Sequence, residues 1–410
     1  KKMKIVGIVA EYNPFHKGHE YQLKMAKELS GCDCVAAVMS GNFVQRGEPA
    51  IIDKYKRAEA AIYGGADLII ELPIPYCCQN AEVFARAAIT ELKKLNITHL
   101  SFGCENSDLK LLKEIALLQV YDKSCGNFIK EEIKRGISYP AALSNALSKI
   151  SPDSDFSNII KAPNNVLAIE YIKSSIILDC SWSFVPVKRI GKNHNDENIS
   201  GHFDSASAIR KGILTDFKSF NSGSLTNKSM DMINRFYDEY HSFNCLNSFL
   251  YYIYYQILSI GTDGLNNIYD ISEGLNNKIY SNIFRFNNID EYIMSLKSKR
   301  YTYSRIRRIL LNILLGINNE NIRKYMLTNK IYSDNNYIKV LAFNDKGRQI
   351  LRKAKSEGTA VINSYSDYKK NCIDMSTFKL TDKTTNIYYL PFSNRKINEE
   401  FYNNAVYVQD

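Results

Sequence analysis

Two regimes of apolar and polar positions divide the chain. Up to about residue 220, short unbroken apolar runs alternate with longer amphipathic stretches, which predicts strands alternating with helices. The predicted strands are Ile5 to Ala10, Val35 to Met39, Leu68 to Ile70, His99 to Phe102 and Ser183 to Val187. Amphipathic spacing predicts helices from Gly18 to about Leu29, from the capping Asp53 to Gly64-Gly65, and from Asn80 to Leu95. Asp108 to about Ile177 is helical in period, with Pro163-Asn164-Asn165 opening its last helix. Unbroken runs suit strands covered on both faces, so the expected fold class is α/β with a Rossmann-like parallel sheet.

Past Phe220 the alternation stops. Asn227 to Ile317 carries almost only helical period, and Tyr337 to Asp410 returns to short apolar runs and turns. The expected organisation is a Rossmann-like unit over residues 1–220, a mainly helical domain over 221–330 and a small mixed C-terminal piece over 331–410. No apolar stretch reaches the roughly 20 residues needed to span a bilayer. Lys1 to Lys4 runs straight into the first strand without a cleavable signal, so a cytoplasmic protein with no membrane partner is expected.

The chemistry concentrates where the first strand hands over to the first helix. Apolar Ile5 to Ala10 breaks at Asn13-Pro14, and the helix restarts at Gly18, placing His16-x-Gly18-His19 at the carboxyl end of a strand and the start of a helix. Such a junction favours phosphate, and imidazoles there can donate hydrogen bonds to phosphate oxygens that gain charge in the transition state. Gly18, lacking a Cβ, lets a flat purine approach the backbone. The pattern is that of a nucleotide-activating enzyme with His16 and His19 as its catalytic pair. A zinc pair is the second reading, although no third ligand stands at usable spacing; a purely structural pair is the third. GxGxxG after the first strand and GxxxxGK[ST] are both absent, which disfavours dinucleotide binding and P-loop chemistry.

Three further features change this picture. Asp204-Ser205-Ala206-Ser207-Ala208-Ile209-Arg210 is a well-capped helix start at which Ser207 and Arg210 are candidate phosphate ligands, unless it is an ordinary surface helix. Lys297 to Arg308 holds six basic residues, no acidic ones, and the interleaved Tyr301 and Tyr303. Phosphate contacts and base stacking need that combination, so Lys299, Arg300, Arg307 and Arg308 are candidate RNA contacts; a solvated basic face is the alternative. The net charge of +10 agrees with an anionic partner. Nine cysteines, an odd number without a CxxC, read as free thiols in a reducing compartment, and no metal site is expected.

Together these segments resemble the bacterial tRNA(Met) cytidine acetate ligases, of the HIGH-type nucleotidyltransferase superfamily. The resemblance rests on Ala10-Glu-Tyr-Asn-Pro-Phe-His-Lys-Gly-His19, Ser40-Gly-Asn-Phe-Val-Gln-Arg-Gly-Glu-Pro49, Asp67-Leu-Ile-Ile-Glu-Leu-Pro73 and Ser101-Phe-Gly103. It continues through Ala162-Pro-Asn-Asn165, Lys188-Arg-Ile-Gly191, Ser207-Ala-Ile-Arg210 and Lys299-Arg-Tyr-Thr302. It implies an ATP site formed by Val9, Ala10, Glu11, Tyr12, Asn13, Pro14, Phe15, His16, Lys17, Gly18, His19, Glu20, Tyr21 and Gln22, with Gly103, Asn165, Arg189 and Ile190. Lys17 and Gln22 stand at variable positions of the family, so backbone contacts are expected there. The resemblance further implies ATP as substrate, magnesium carried by its phosphates, acetate as the activated acid and elongator tRNA(Met) as the acceptor of the acetyl group at its wobble cytidine. An adenylyltransferase acting on a small molecule is the alternative; it shares HxGH but has no need of a basic helical second half. A class I aminoacyl-tRNA synthetase is disfavoured by the lack of a KMSKS-like loop. The sequence leaves the oligomeric state open.

Overall fold

The computed structural model describes residues 3–152, 154–190, 204–272, 274–326, 336–371 and 373–409; Gly191, the last residue of the Lys188 motif, lies outside the described residues. Ten strands are formed among the described residues: β1 (Ile5–Ala10), β2 (Cys34–Ser40), β3 (Phe43–Val44), β4 (Glu48–Pro49), β5 (Leu68–Leu72), β6 (His99–Cys104), β7 (Ser183–Lys188), β8 (Tyr337–Phe343), β9 (Ala360–Ile362) and β10 (Val406–Tyr407). The main sheet runs β10-β8-β5-β2-β1-β6-β7. β5, β2, β1, β6 and β7 are mutually parallel, as the unbroken apolar runs predict: every residue of β2 and β5 is buried.

Going outward from β1, the chain order runs one way through β2 and β5 and the other way through β6 and β7. The order therefore reverses between β1 and β6, and a crevice opens outside the carboxyl ends of those two strands. Arg57, fully buried on the helix Lys54–Tyr63, ties the exits of β1 and β2 together: its Nη1 donates to the Glu11 carbonyl at 2.6 Å and its Nη2 to the Ser40 carbonyl at 3.2 Å.

The residues after 336 add to this same sheet. β8 pairs antiparallel with β5 (Leu68 opposite Phe343), and β9 and β10 pair parallel with β8. A buried square of charge stitches them on: Lys54 Nζ lies 2.7 Å from Glu71 and 2.6 Å from Glu400, and Lys339 pairs with Glu71 at 3.1 Å and with Glu400. The middle region is helical, as the period predicts, with helices Asn227–Tyr240, Leu250–Leu265, Leu275–Ser281, Ile289–Leu296, Tyr303–Leu315 and Asn319–Met326. No helix among the described residues is long and apolar enough to cross a membrane.

The segment Ser40 to Pro49 carries a small ribbon: Phe43 pairs with Pro49 and Val44 with Glu48. Gly47 turns it with φ of 76°, and a Cβ there would stand 2.7 Å from the Arg308 backbone nitrogen. Only glycine combines that dihedral with so close an approach.

Candidate functional site

The switch-point crevice is an open cleft. Val9, Ala10, Glu11, Tyr12 and Asn13 line it from the end of β1, Phe102 and Gly103 from β6, and Arg189 from just beyond β7. His16, His19 and Gln22 come from the helix Lys17–Ser30, and Ser205, Ala206, Ser207 and Arg210 from the start of the helix Ala206–Thr215. Two helix N-termini thus face one cleft; the first N–H groups of the helix Lys17–Ser30 are taken, Lys17 by the Ser224 carbonyl and Gly18 by His16 Nδ1, so that end offers its imidazoles rather than its backbone to an anion. Gly18, Tyr21, Lys188, Ile190 and Asp204 line its continuation.

The two histidines hold each other in place. His16 caps its helix: its Nδ1 accepts from the Gly18 N–H at 3.0 Å, and His19 Nδ1 accepts from the His16 N–H at 3.3 Å. The rings stack with centroids 3.7 Å apart and 25° between planes. Burial, then Arg189 and Arg210, push His16 down to about 3; burial, His16 and Arg189 push His19 well below its ordinary value. Both rings are therefore neutral near pH 7. With each Nδ1 occupied as an acceptor, the single ring proton belongs on Nε2, which makes each ring a fixed N–H donor rather than a base. The expected result is that neither ring titrates between pH 5 and 8, read by the NMR shifts of the His16 and His19 ring protons. A titration step near pH 6.5 from either ring would refute its assignment as neutral.

Tyr12 reaches this arrangement through a left-handed backbone, φ 47°, unusual for a bulky residue. Its buried ring meets Phe15 and His19 edge-on, both at 5.0 Å. That packing over-determines the turn, and a strained, well-held turn beside a cleft is a mark of function. Phe15 in turn lies against Gly64, where a Cβ would come within 2.2 Å of the ring.

Several sequence-predicted residues sit elsewhere than on the cleft wall. Pro14 and Phe15 are buried behind it, Lys17 donates its N–H to the Ser224 carbonyl at 2.8 Å, and Glu20 is exposed. Asn165 is a strut: its Oδ1 accepts from the Glu105 and Asn106 N–H groups at 2.9 and 3.0 Å, and its Nδ2 donates to the Ile159 carbonyl at 3.0 Å. Its neighbour Asn164 lines the cleft instead. Sequence reasoning also missed Gln45, Arg46, Phe84, Leu167 and Tyr171 as lining residues. The signal was available only for Gln45 and Arg46, which stand in the quoted Ser40 to Pro49 motif; the other three fall on helix periodicity and read as core.

The basic stretch divides. Lys299 is exposed and Arg300 half-buried, whereas Arg307 and Arg308 lie along the face of the helix Tyr303–Leu315 that packs on the Gly47 turn, with Arg307 paired to Glu48. Tyr301 offers no stacking face: it is 6% exposed, its hydroxyl lies 2.9 Å from Ser272 Oγ, and Arg305 covers its ring at 4.6 Å. Tyr303 is half-buried, with its hydroxyl bonded to Asp290.

Known proteins share this architecture. The family model of the HIGH nucleotidyl transferases matches residues 3–403. The tRNA(Met) cytidine acetate ligase of Thermoanaerobacter sp. (strain X514) is 39% identical over 401 residues, covering 96% of this chain and 97% of the relative. The protein of the same name from Clostridium perfringens (strain ATCC 13124) is 38% identical over 419 residues, covering 97% and 98%. Among solved structures, Thermotoga maritima TmcAL in its apo form superposes with a TM-score of 0.92 at 31% identity over all of both chains. The same protein bound with alpha-thio ATP superposes with a TM-score of 0.89 at 30% identity, again over both whole chains.

Proposed function

The chain belongs to the HIGH nucleotidyl transferases and, within them, to the tRNA(Met) cytidine acetate ligases, and from that premise we propose how its cleft performs the reaction. It is an ATP-dependent ligase that acetylates tRNA cytidine. The observation that carries the mechanism is the stacked pair of imidazoles at a helix N-terminus, in a cleft that a second helix N-terminus also lines.

Acetate is a poor electrophile, and the exocyclic amine of cytosine is a poor nucleophile because its lone pair is delocalised into the ring. Adenylation addresses the first difficulty. A carboxylate oxygen of acetate attacks the α-phosphorus of ATP, the bond to the bridging oxygen breaks, and pyrophosphate departs with that electron pair. The Nε2–H groups of His16 and His19 donate to phosphate oxygens that gain charge as this happens, without forming a covalent bond. Arg189 and Arg210 supply fixed positive charge at two sides of the same cleft. In the second step the cytosine amine attacks the acetyl carbonyl, loses a proton and expels AMP, a step governed by positioning.

Magnesium would be carried by the triphosphate, whose oxygens are its usual ligands in a nucleotide substrate. The wobble cytidine of elongator tRNA(Met) is the acceptor in our reading, with Lys299 and Arg300 the accessible part of the candidate RNA surface. The experiment is a product assay: with acetate and ATP alone, labelled pyrophosphate should exchange into ATP, and with tRNA added AMP should accumulate. ADP as product would contradict the adenylate route.

A further inference from the structure

Glu48, at the end of the ribbon beside the cleft, joins two arginines from distant parts of the chain. Its Oε1 lies 2.7 Å from Arg210 Nη2, and its Oε2 pairs with Arg307 Nη2. Arg210 is the cleft-lining cation of the helix Ala206–Thr215; it also donates from Nη1 to the Asn13 carbonyl at 2.8 Å and lies 3.4 Å from Ser207 Oγ. Arg307 belongs to the helical region, on the helix Tyr303–Leu315. All three side chains are largely withdrawn from water, at 14%, 14% and 20% exposure for Arg210, Glu48 and Arg307. Burial works to raise the Glu48 carboxyl, but Arg210, Arg307 and Arg46 together hold it below the usual carboxylate range. It is an ionised bridge.

We propose that Arg307 is a positioning residue for the adenylation step: through Glu48 it fixes the Arg210 guanidinium at the phosphate end of the cleft. The proposal rests on the reading of this cleft as the ATP site. A guanidinium is planar and its donors are directional, so its placement depends on every acceptor it meets. Arg210 donates hydrogen bonds to two neutral oxygens, and the Glu48 carboxylate holds it by charge at 2.7 Å. Without that carboxylate it is drawn toward the most charged part of a triphosphate; with it, the fork stays where Asn13 and Ser207 aim it. Glu48 in turn stays in place because its second oxygen is claimed from the far side by Arg307, whose helix is seated on the Gly47 turn. The helical half is thereby part of the adenylation machinery, and the basic stretch is not solely an RNA surface.

The alternative, that these groups act only as charges, makes a different prediction. For charge alone, Arg307→Ala removes a cation and slows adenylation, whereas Glu48→Gln removes an anion and speeds it. For positioning, both substitutions lower kcat of acetate-dependent ATP–pyrophosphate exchange, by about 10- to 100-fold for a misplaced group. The KM for ATP then moves in opposite directions, up in Arg307→Ala and down in Glu48→Gln, because the polyanion still feels the charge change. The double variant falls no further than the worse single one, within about threefold, since the same chain of contacts is broken once. Arg307→Lys, which keeps the charge without the planar fork, lies between the parent and Arg307→Ala. Glu48→Gln is close to isosteric and, with Arg307→Lys, carries the test if Arg307→Ala fails to fold. A normal exchange kcat in Arg307→Ala with tRNA acetylation lost would make Arg307 an RNA contact and overturn the proposal, as would faster exchange in Glu48→Gln. Absence of exchange in the unaltered protein would instead overturn the ATP-site reading, before any variant is made.

Discussion

Replacing His19 by alanine is expected to slow acetate-dependent ATP–pyrophosphate exchange by about 10²- to 10³-fold, the cost of removing one preorganised donor to developing charge. The ring contributes in two ways. Its Nδ1 accepts the His16 N–H at 3.3 Å, and its stacked face keeps the His16 ring in line at 3.7 Å. The loss should appear in kcat more than in the KM for ATP, because the interaction strengthens only as the phosphate gains charge. The fold should survive, since His19 is only partly buried and its helix keeps the His16 cap. Near-normal exchange in this variant would move the catalytic role away from the pair.

Glu400→Gln is expected to have the largest effect on stability. The carboxylate lies within the square formed with Lys54, Lys339 and Glu71, and Thr385 Oγ1 donates to it at 2.6 Å. Burial opposes its charge, yet Lys339 and Lys54 hold its carboxyl far below the usual range. The amide leaves two buried ammonium groups sharing one carboxylate. Breaking a buried pair in this way costs about 3–5 kcal/mol, read as the shift in a urea unfolding midpoint at unchanged slope. Because the folded carboxyl titrates below its unfolded counterpart, its contribution is present above the ordinary Glu pKa of about 4.3 and is lost as the pH falls below it. The parent should therefore lose stability in acid more steeply than the variant. A shift under about 1 kcal/mol would mean that the square reorganises or admits water.

What the sequence disclosed follows from how local each signal is. The apolar run Ile5–Ala10, the break at Asn13-Pro14 and Gly18 are neighbours in the chain, so periodicity alone placed His16 and His19 at a strand–helix junction. The start at Ser205 was legible for the same reason: a hydroxyl accepting the Ala208 N–H is a local event. Long-range pairing was not legible. Nothing in Tyr337 to Phe343 says that it runs antiparallel beside Leu68–Leu72, because a strand's own pattern records which faces are buried and not by what. Burial of Tyr301 was equally hidden, since an aromatic between cations reads alike whether its ring waits for a base or is covered by Arg305. Asn164 and Asn165 illustrate the finest limit: adjacent identical residues part at a helix start, one to the cleft and one to the backbone of Glu105.

The most direct test of the account is the fate of labelled acetate. The protein is incubated with ATP, labelled acetate and elongator tRNA(Met), and the digested nucleosides are analysed by mass. The account predicts labelled acetylcytidine from the wobble position, in step with AMP and dependent on ATP. Unlabelled cytidine alongside an adenylylated small molecule would contradict it.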